Sequence, residues 1–179
     1  MAIFKALNGK HKYFNSNART LVANYILNPL KSPSGFRGAI AVSQDVVGSM
    51  NSVAKRFGKE GGVQLRHFVV AYSPNEMDCP DEVDYIAETL IKYIGQTYQA
   101  LYAVHEDTQN LHFHVMFNSV SYVDGTRFRG TKKEHYDLMG QIKELNHYFG
   151  IDRLDYVSTT SNEFLPMRKS GIVPSFSRS

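Results

Sequence analysis

The chain has 179 residues, 42% hydrophobic and 12% aromatic, with a formal net charge of +3. That suffices for one domain with a real core and excludes a disordered chain; the mild positive charge permits a nucleic-acid partner without requiring one. The single cysteine, Cys79, excludes an internal disulfide and a cysteine-built zinc site. No apolar run reaches membrane-spanning length and the N-terminus lacks a signal-peptide core, so a cytoplasmic protein without membrane insertion is expected.

Residues 1–7 read as a short strand stopped by Asn8-Gly9, with a basic cluster, Lys10-His11-Lys12, behind it. Asn15, Ser16 or Asn17 can cap a helix over about 18–27. Its apolar positions, Ala18, Leu21, Val22, Tyr25 and Ile26, follow helical spacing, and Asn28-Pro29 stops it. Pro29, Pro33, Gly35 and Gly38 make 29–43 a surface loop, which carries Lys31 and Arg37. A second helix is predicted near 44–58, with Val46, Val47, Met50, Val53 and Phe57 inward and Gly58 or Gly61 at its end. Residues 64–73 form a clear strand with His67, Val69, Ala71 and Ser73 on one face. Pro80 suits the first turn of a helix that runs to about 94. Val83, Ile86, Ala87, Leu90, Ile91 and Ile94 form its apolar stripe, and Gly95 stops it. After a hairpin, Asp124-Gly125 marks another turn, with Arg127 and Arg129 in a short strand beyond. A last helix covers about 133–148, with Leu138, Ile142 and Leu145 inward. Residues 1–157 thus read as one domain. Residues 158–179, rich in Ser and Thr with Arg168, Lys169 and Arg178, read as a basic tail. The order of elements predicts an α+β fold with helices on one face of a sheet.

The hairpin carries the chemistry. Residues 98–106 and 111–118 are strand-like, and Thr108-Gln109-Asn110 supplies the turn. A turn centred between 108 and 109 pairs His105 directly with His112. Alternation along the strands then puts Val104, Leu111, Phe113, Val115 and Phe117 on one face. The other face receives Ala103, His105, His112, His114, Met116 and Asn118, with Asp107 at the turn. A lone histidine there would be an ordinary polar residue on the wet side of a sheet. Three at matched parity on facing strands point instead to a divalent ion with an open coordination position. With helices over the apolar face, the histidine face is expected to stay open to a cleft.

His105-x-Asp107-x4-His112-x-His114, followed by Asn118, resembles the third motif of relaxases, mobilisation nucleases of the HUH endonuclease superfamily, and most closely the MobP branch. His67-Phe-Val-Val-Ala-Tyr-Ser-Pro before an acidic helix is similar to the family's second motif. Tyr25 in Asn-Tyr-Ile matches the first. The likeness covers about residues 10–150. One departure is Ala71, where the second motif carries a serine; Ser73 shares its face.

The resemblance implies a largely antiparallel, five-stranded central sheet with the His-x-His strand near its middle. It implies site- and strand-specific nicking and rejoining of single-stranded DNA at a transfer origin. A tyrosine attacks a DNA phosphate and leaves a free 3′-hydroxyl and a 5′-phosphotyrosyl link. Here Tyr25 is the expected nucleophile, with Tyr13 as the alternative. His105, His112 and His114 are expected to hold a divalent ion, manganese or magnesium, with zinc as an alternative. Asp107 would orient an imidazole or transfer a proton, and His67 and Asn118 would support the site. Arg37, Arg127, Arg129, Lys132 and Lys133 are candidate DNA contacts. Accessory relaxosome proteins and a coupling protein are the implied protein partners. Three other readings fit parts of the pattern. One is a rolling-circle initiator or single-tyrosine transposase, with Tyr136 or Tyr148 as nucleophile. The others are a DNA-binding module that has kept the fold and a metal hydrolase for a small substrate.

Overall fold

A computed structural model describes residues 1–7 and 13–158 of the chain. The Asn8-Gly9 turn, the basic cluster at 10–12 and all but the first residue of the 158–179 tail lie outside the described residues. One six-stranded sheet forms the centre, in the order β2-β4-β5-β3-β1-β6. The central strands are β4 (Ala100–His105), β5 (His112–Asn118) and β3 (Leu65–Ala71). They are flanked by β2 (Arg37–Ile40) on one side and by β1 (Ala2–Ala6) and β6 (Leu154–Ser158) on the other. Every pairing is antiparallel except β1 with β6. The α+β class and the central place of the His-x-His strand hold, but the strand count is six rather than five. Strand β2 sits inside the segment expected to be a loop, because its backbone is satisfied by β4, from Arg37 opposite Ala103 to Ile40 opposite Ala100. The expected strand around Arg127 reduces to one bridge between Val120 and Arg127.

The helices are α1 (Ala18–Ile26), α2 (Val46–Arg56), α3 (Pro80–Ile94) and α4 (Lys132–Tyr148). The predicted stripe of α3 is fully realised: Val83, Ile86, Ala87, Leu90, Ile91 and Ile94 are all buried. It packs with Leu138 and Ile142 of α4 against Val104, Phe113, Val115 and Phe117. Local chemistry fixes the ends of these helices. Pro80 opens α3, and Thr131 with Glu134 closes a reciprocal capping box on α4. Asn17 holds the cap position of α1, but its side chain makes no capping bond.

Helices do not occupy one face only. Ala18, Val22, Ala23 and Ile26 of α1 and Met50 of α2 pack on Leu65, Leu101, Ala103 and Met116, which lie on the histidine face. That face is therefore covered at its centre and is not an open cleft. The physical reason is its composition: Leu101, Ala103 and Met116 alternate with the histidines and need burial as much as the opposite face does. Among the described residues no helix is long and apolar enough to cross a membrane.

Candidate metal centre

The register of the hairpin sets the site. His105 is opposite His112 and Ala103 is opposite His114. The rings of His105 and His114 lie 4.5 Å apart by centroid, and His112 is 5.4 Å from each. All three residues are wholly buried. One ring nitrogen from each lies within 4.8 Å of the others, as convergence on a single ion requires.

Hydrogen bonds decide which nitrogens face inward. His105 Nε2–H donates to the Ile26 carbonyl at 2.8 Å, and His112 Nδ1–H donates to the Asn110 carbonyl at 2.9 Å. A carbonyl only accepts, so the lone pairs remain on His105 Nδ1 and His112 Nε2. His105 Nδ1 is buried with no hydrogen-bond partner. Metal-bound histidines characteristically anchor their other N–H in this way. Burial is the main reason the imidazoles stay neutral, as ligands must. It pushes His105 down to about 4, against a smaller upward effect of the bond to Ile26, and holds His112 and His114 below the ordinary histidine range. The residues present therefore fit a metal ion. An all-nitrogen donor set suits manganese or zinc better than magnesium, which prefers oxygen.

Helix α1 delivers Tyr25 to this cluster. Its ring meets His114 edge-on at 5.3 Å and His105 at 5.7 Å. Burial, then the nearby Asp107 charge, pushes its hydroxyl pKa up. Three consecutive residues, the last of β4 and the two that follow it, hold the end of α1 and the following loop in place. His105 bonds the Ile26 carbonyl, Glu106 N–H donates to the Lys31 carbonyl, and Asp107 accepts from Lys31 Nζ at 2.6 Å. The same ammonium lies 5.1 Å from the centre of the Tyr25 ring. Asp107 Oδ1 is 3.8 Å from His112 Nε2, the inward nitrogen. The outer nitrogens of His105 and His112 are held by carbonyls instead.

His67 belongs to the cluster: its Nε2 is 2.9 Å from His114 Nδ1, and its Nδ1 is 3.1 Å from the Tyr13 hydroxyl. Ala71 lies opposite His112, while the Ser73 hydroxyl donates to Glu76 Oε2 at 2.6 Å. Asn118 sits at the other end of β5, about 14 Å along the strand from His114. There it accepts from Arg19 Nη2 at 3.0 Å and donates to Gln99 Oε1 at 3.0 Å and to the Met50 carbonyl at 3.1 Å. It ties α1 and α2 to the sheet and does not touch the triad.

The candidate DNA contacts scatter. Arg37 is exposed on β2 in the same cross-strand row as His114. Arg127 is half-buried and spends its guanidinium on the carbonyls of Lys59, Gly61 and Val63. Arg129 is exposed beside the α4 cap. Lys132 and Lys133 open α4, which packs on the sheet face away from the histidines. Two clefts of about 260 and 360 Å³ between α3 and α4 also lie on that far face and contain no histidine. Sequence reasoning left Lys31 as a loop charge and did not single out Arg19. Nothing local marks either one, because their partners Asp107 and Asn118 are 76 and 99 residues away.

Comparison with known proteins agrees with this geometry. The family model for the MobA/VirD2-like nuclease domain of relaxases matches residues 25–151. Protein rlx of Staphylococcus aureus is 24% identical over 123 residues, covering 69% of this chain and 37% of its own length. The group II intron-interrupted relaxase LtrB of Lactococcus lactis is 28% identical over 71 residues, 39% of this chain and 13% of LtrB. Protein MobA of Acidithiobacillus ferrooxidans is 29% identical over 82 residues, 45% of this chain and 17% of MobA. The chain thus spans less than two-fifths of the length of these relatives. A matched segment that runs from Tyr25 through the whole histidine cluster places the chain in the relaxase family, with the MobA/VirD2-like nuclease domain.

Proposed function

We propose that this nuclease domain nicks and rejoins one DNA strand at a transfer origin, with Tyr25 as nucleophile and His105, His112 and His114 as metal ligands. The observation that carries the reading is the edge-on packing of Tyr25 against two of the three histidines, which brings a phenol to the centre. In the reaction the Tyr25 Oη–P bond forms and the P–O3′ bond breaks. The phenol proton leaves to a base, and the departing 3′-oxygen takes up a proton. A bound divalent ion would neutralise charge on the non-bridging phosphate oxygens.

Burial works against ionising Tyr25, so a proton acceptor must be close. Asp107 is a carboxylate whose charge acts on Tyr25, and Lys31 holds it beside the end of α1. Because backbone carbonyls already hold the outer nitrogens of His105 and His112, proton transfer suits Asp107 better than imidazole orientation. Single-stranded DNA is the partner of the domain, with Arg37, two strands from His114 in the same cross-strand row, as its first contact. Accessory relaxosome proteins and a coupling protein are partners of the whole relaxase.

The test is incubation of the full chain with single-stranded oligonucleotides spanning candidate origins and Mn2+, followed by mass mapping of the covalent adduct. The expected result is a 5′-phosphotyrosyl link on Tyr25, lost with chelator and in Tyr25→Phe. An adduct on Tyr136 or Tyr148 would move the protein to the initiator class. Both residues are 69% and 80% exposed on α4, which packs on the face away from the histidines.

A further inference from the structure

We propose that Tyr13 and His67 form a hydrogen-bonded chain behind the candidate metal centre that couples the tautomer of His114 to metal binding, and so sets the affinity of the triad for metal. The proposal rests on the metal-centre reading and concerns two residues outside the ligand set.

The three ligands are anchored unequally. His105 and His112 end on backbone carbonyls, at 2.8 and 2.9 Å. Those acceptors leave each imidazole one possible tautomer, with the lone pair inward. His114 Nδ1 instead faces another imidazole, His67 Nε2, at 2.9 Å. An imidazole nitrogen can accept or donate. If His67 donates, His114 carries its proton on Nε2 and cannot bind a metal there. If His114 donates from Nδ1, the lone pair on its Nε2 can bind a metal. That second arrangement requires the proton of neutral His67 to sit on Nδ1, where the Tyr13 oxygen at 3.1 Å accepts it. Binding of a cation by His114 therefore sets the polarity of all three groups, and a substitution that forbids this polarity weakens the metal.

Both chain members are held for the role. His67 is 1% exposed on β3, opposite Met116 of the His-x-His strand. Both of its ring nitrogens are engaged, so it acts as a positioning residue and not as a fourth ligand. Tyr13 has left-handed backbone, φ 65°, which a tyrosine adopts only when its surroundings enforce it. Here its carbonyl accepts from Gln64 N–H at 2.8 Å, one residue before β3 begins. The strained turn points the hydroxyl at His67.

The experiment compares wild type, His67→Leu, His67→Gln and Tyr13→Phe in the full chain. Mn2+ affinity is measured by paramagnetic resonance without DNA, and histidine tautomers are read from 15N shifts in the metal-free protein. His67→Leu is expected to lose roughly 10–100-fold in Mn2+ affinity and to show a mixed His114 tautomer. His67→Gln keeps most of the affinity, because its amide oxygen accepts from His114 and its amide nitrogen donates to Tyr13. Tyr13→Phe, which removes the acceptor for the His67 Nδ1 proton, falls between the two in Mn2+ affinity. The proposal is overturned by unchanged Mn2+ affinity in His67→Leu even where melting drops, by His67→Gln behaving like His67→Leu, or by wild-type Mn2+ affinity in Tyr13→Phe. Because affinity is read without DNA, a failure to nick any oligonucleotide would count against the proposed function and leave this result standing.

Discussion

Burial gives the histidine triad a measurable signature at the scale of single residues. His105 titrates near 4 in the folded chain against 6.5 as a free side chain, mainly because burial penalises the cation. Between those values the unfolded chain binds a proton that the native state refuses, so the native state loses stability as pH falls. The contribution is fully present above about pH 6.5 and gone below about pH 4. For His105 alone it is on the order of 3 kcal/mol. His112 and His114 shift in the same direction and add to the slope. Urea unfolding of the chelator-treated protein between pH 7 and 4 should show this fall. Substituting His105 by Gln should flatten it, and a wild-type profile without a slope would contradict neutral buried imidazoles. The shared face of these three histidines is legible in the sequence because strand parity is a local property, while Tyr25 is singled out only through the family's first motif. Lys31 is not, since a lysine in a Pro- and Gly-containing loop looks the same whether it is solvated or paired with Asp107.

Elements divide the work along β5. Its first half holds His112 and His114 of the triad, and its last residue, Asn118, anchors a buried polar network. Arg19, 2% exposed, has no carboxylate among its hydrogen-bond partners in the described residues and bonds the amide oxygens of Asn51, Gln64 and Asn118. Removing Asn118 leaves several of these buried groups unsatisfied, so Asn118→Ala should cost about 3 kcal/mol in urea unfolding. Its distance from the metal ligands predicts a change in Mn2+ affinity of less than about twofold. A large loss of affinity with intact stability would instead place Asn118 in the site. The helices were readable where a single stripe faces one hydrophobic layer, as in α3. They were less so in α2, where only Met50 and Ala54 are buried and the expected stripe of Val46, Val47, Val53 and Phe57 stays half-exposed.

The whole molecule is a sheet covered on both faces and extended at both edges by strands that sequence reading did not find. Strand β6 returns after α4 to pair in parallel with β1, from Leu154 opposite Ala2 to Ser158 opposite Ala6. Leu154, 5% exposed, joins the same core as Phe4 and Ile142. Leu154→Ala should therefore destabilise the domain by about 2–4 kcal/mol, read as a lower urea midpoint. A change below about 0.5 kcal/mol, as at an ordinary surface site, would mean that β6 is dispensable. Sequence alone determined the α+β class, the hairpin register, the shared face of the three histidines and the family resemblance. The class, the register and the shared face follow from periodicity and turn placement, and the resemblance from three motifs in order along the chain. Tertiary structure decided that the histidine face is roofed by α1, that Tyr25 reaches it, that His67 and Tyr13 stand behind His114, and that Lys31 meets Asp107. Those contacts join residues tens of positions apart, where no local pattern in the chain records which partner a side chain will find.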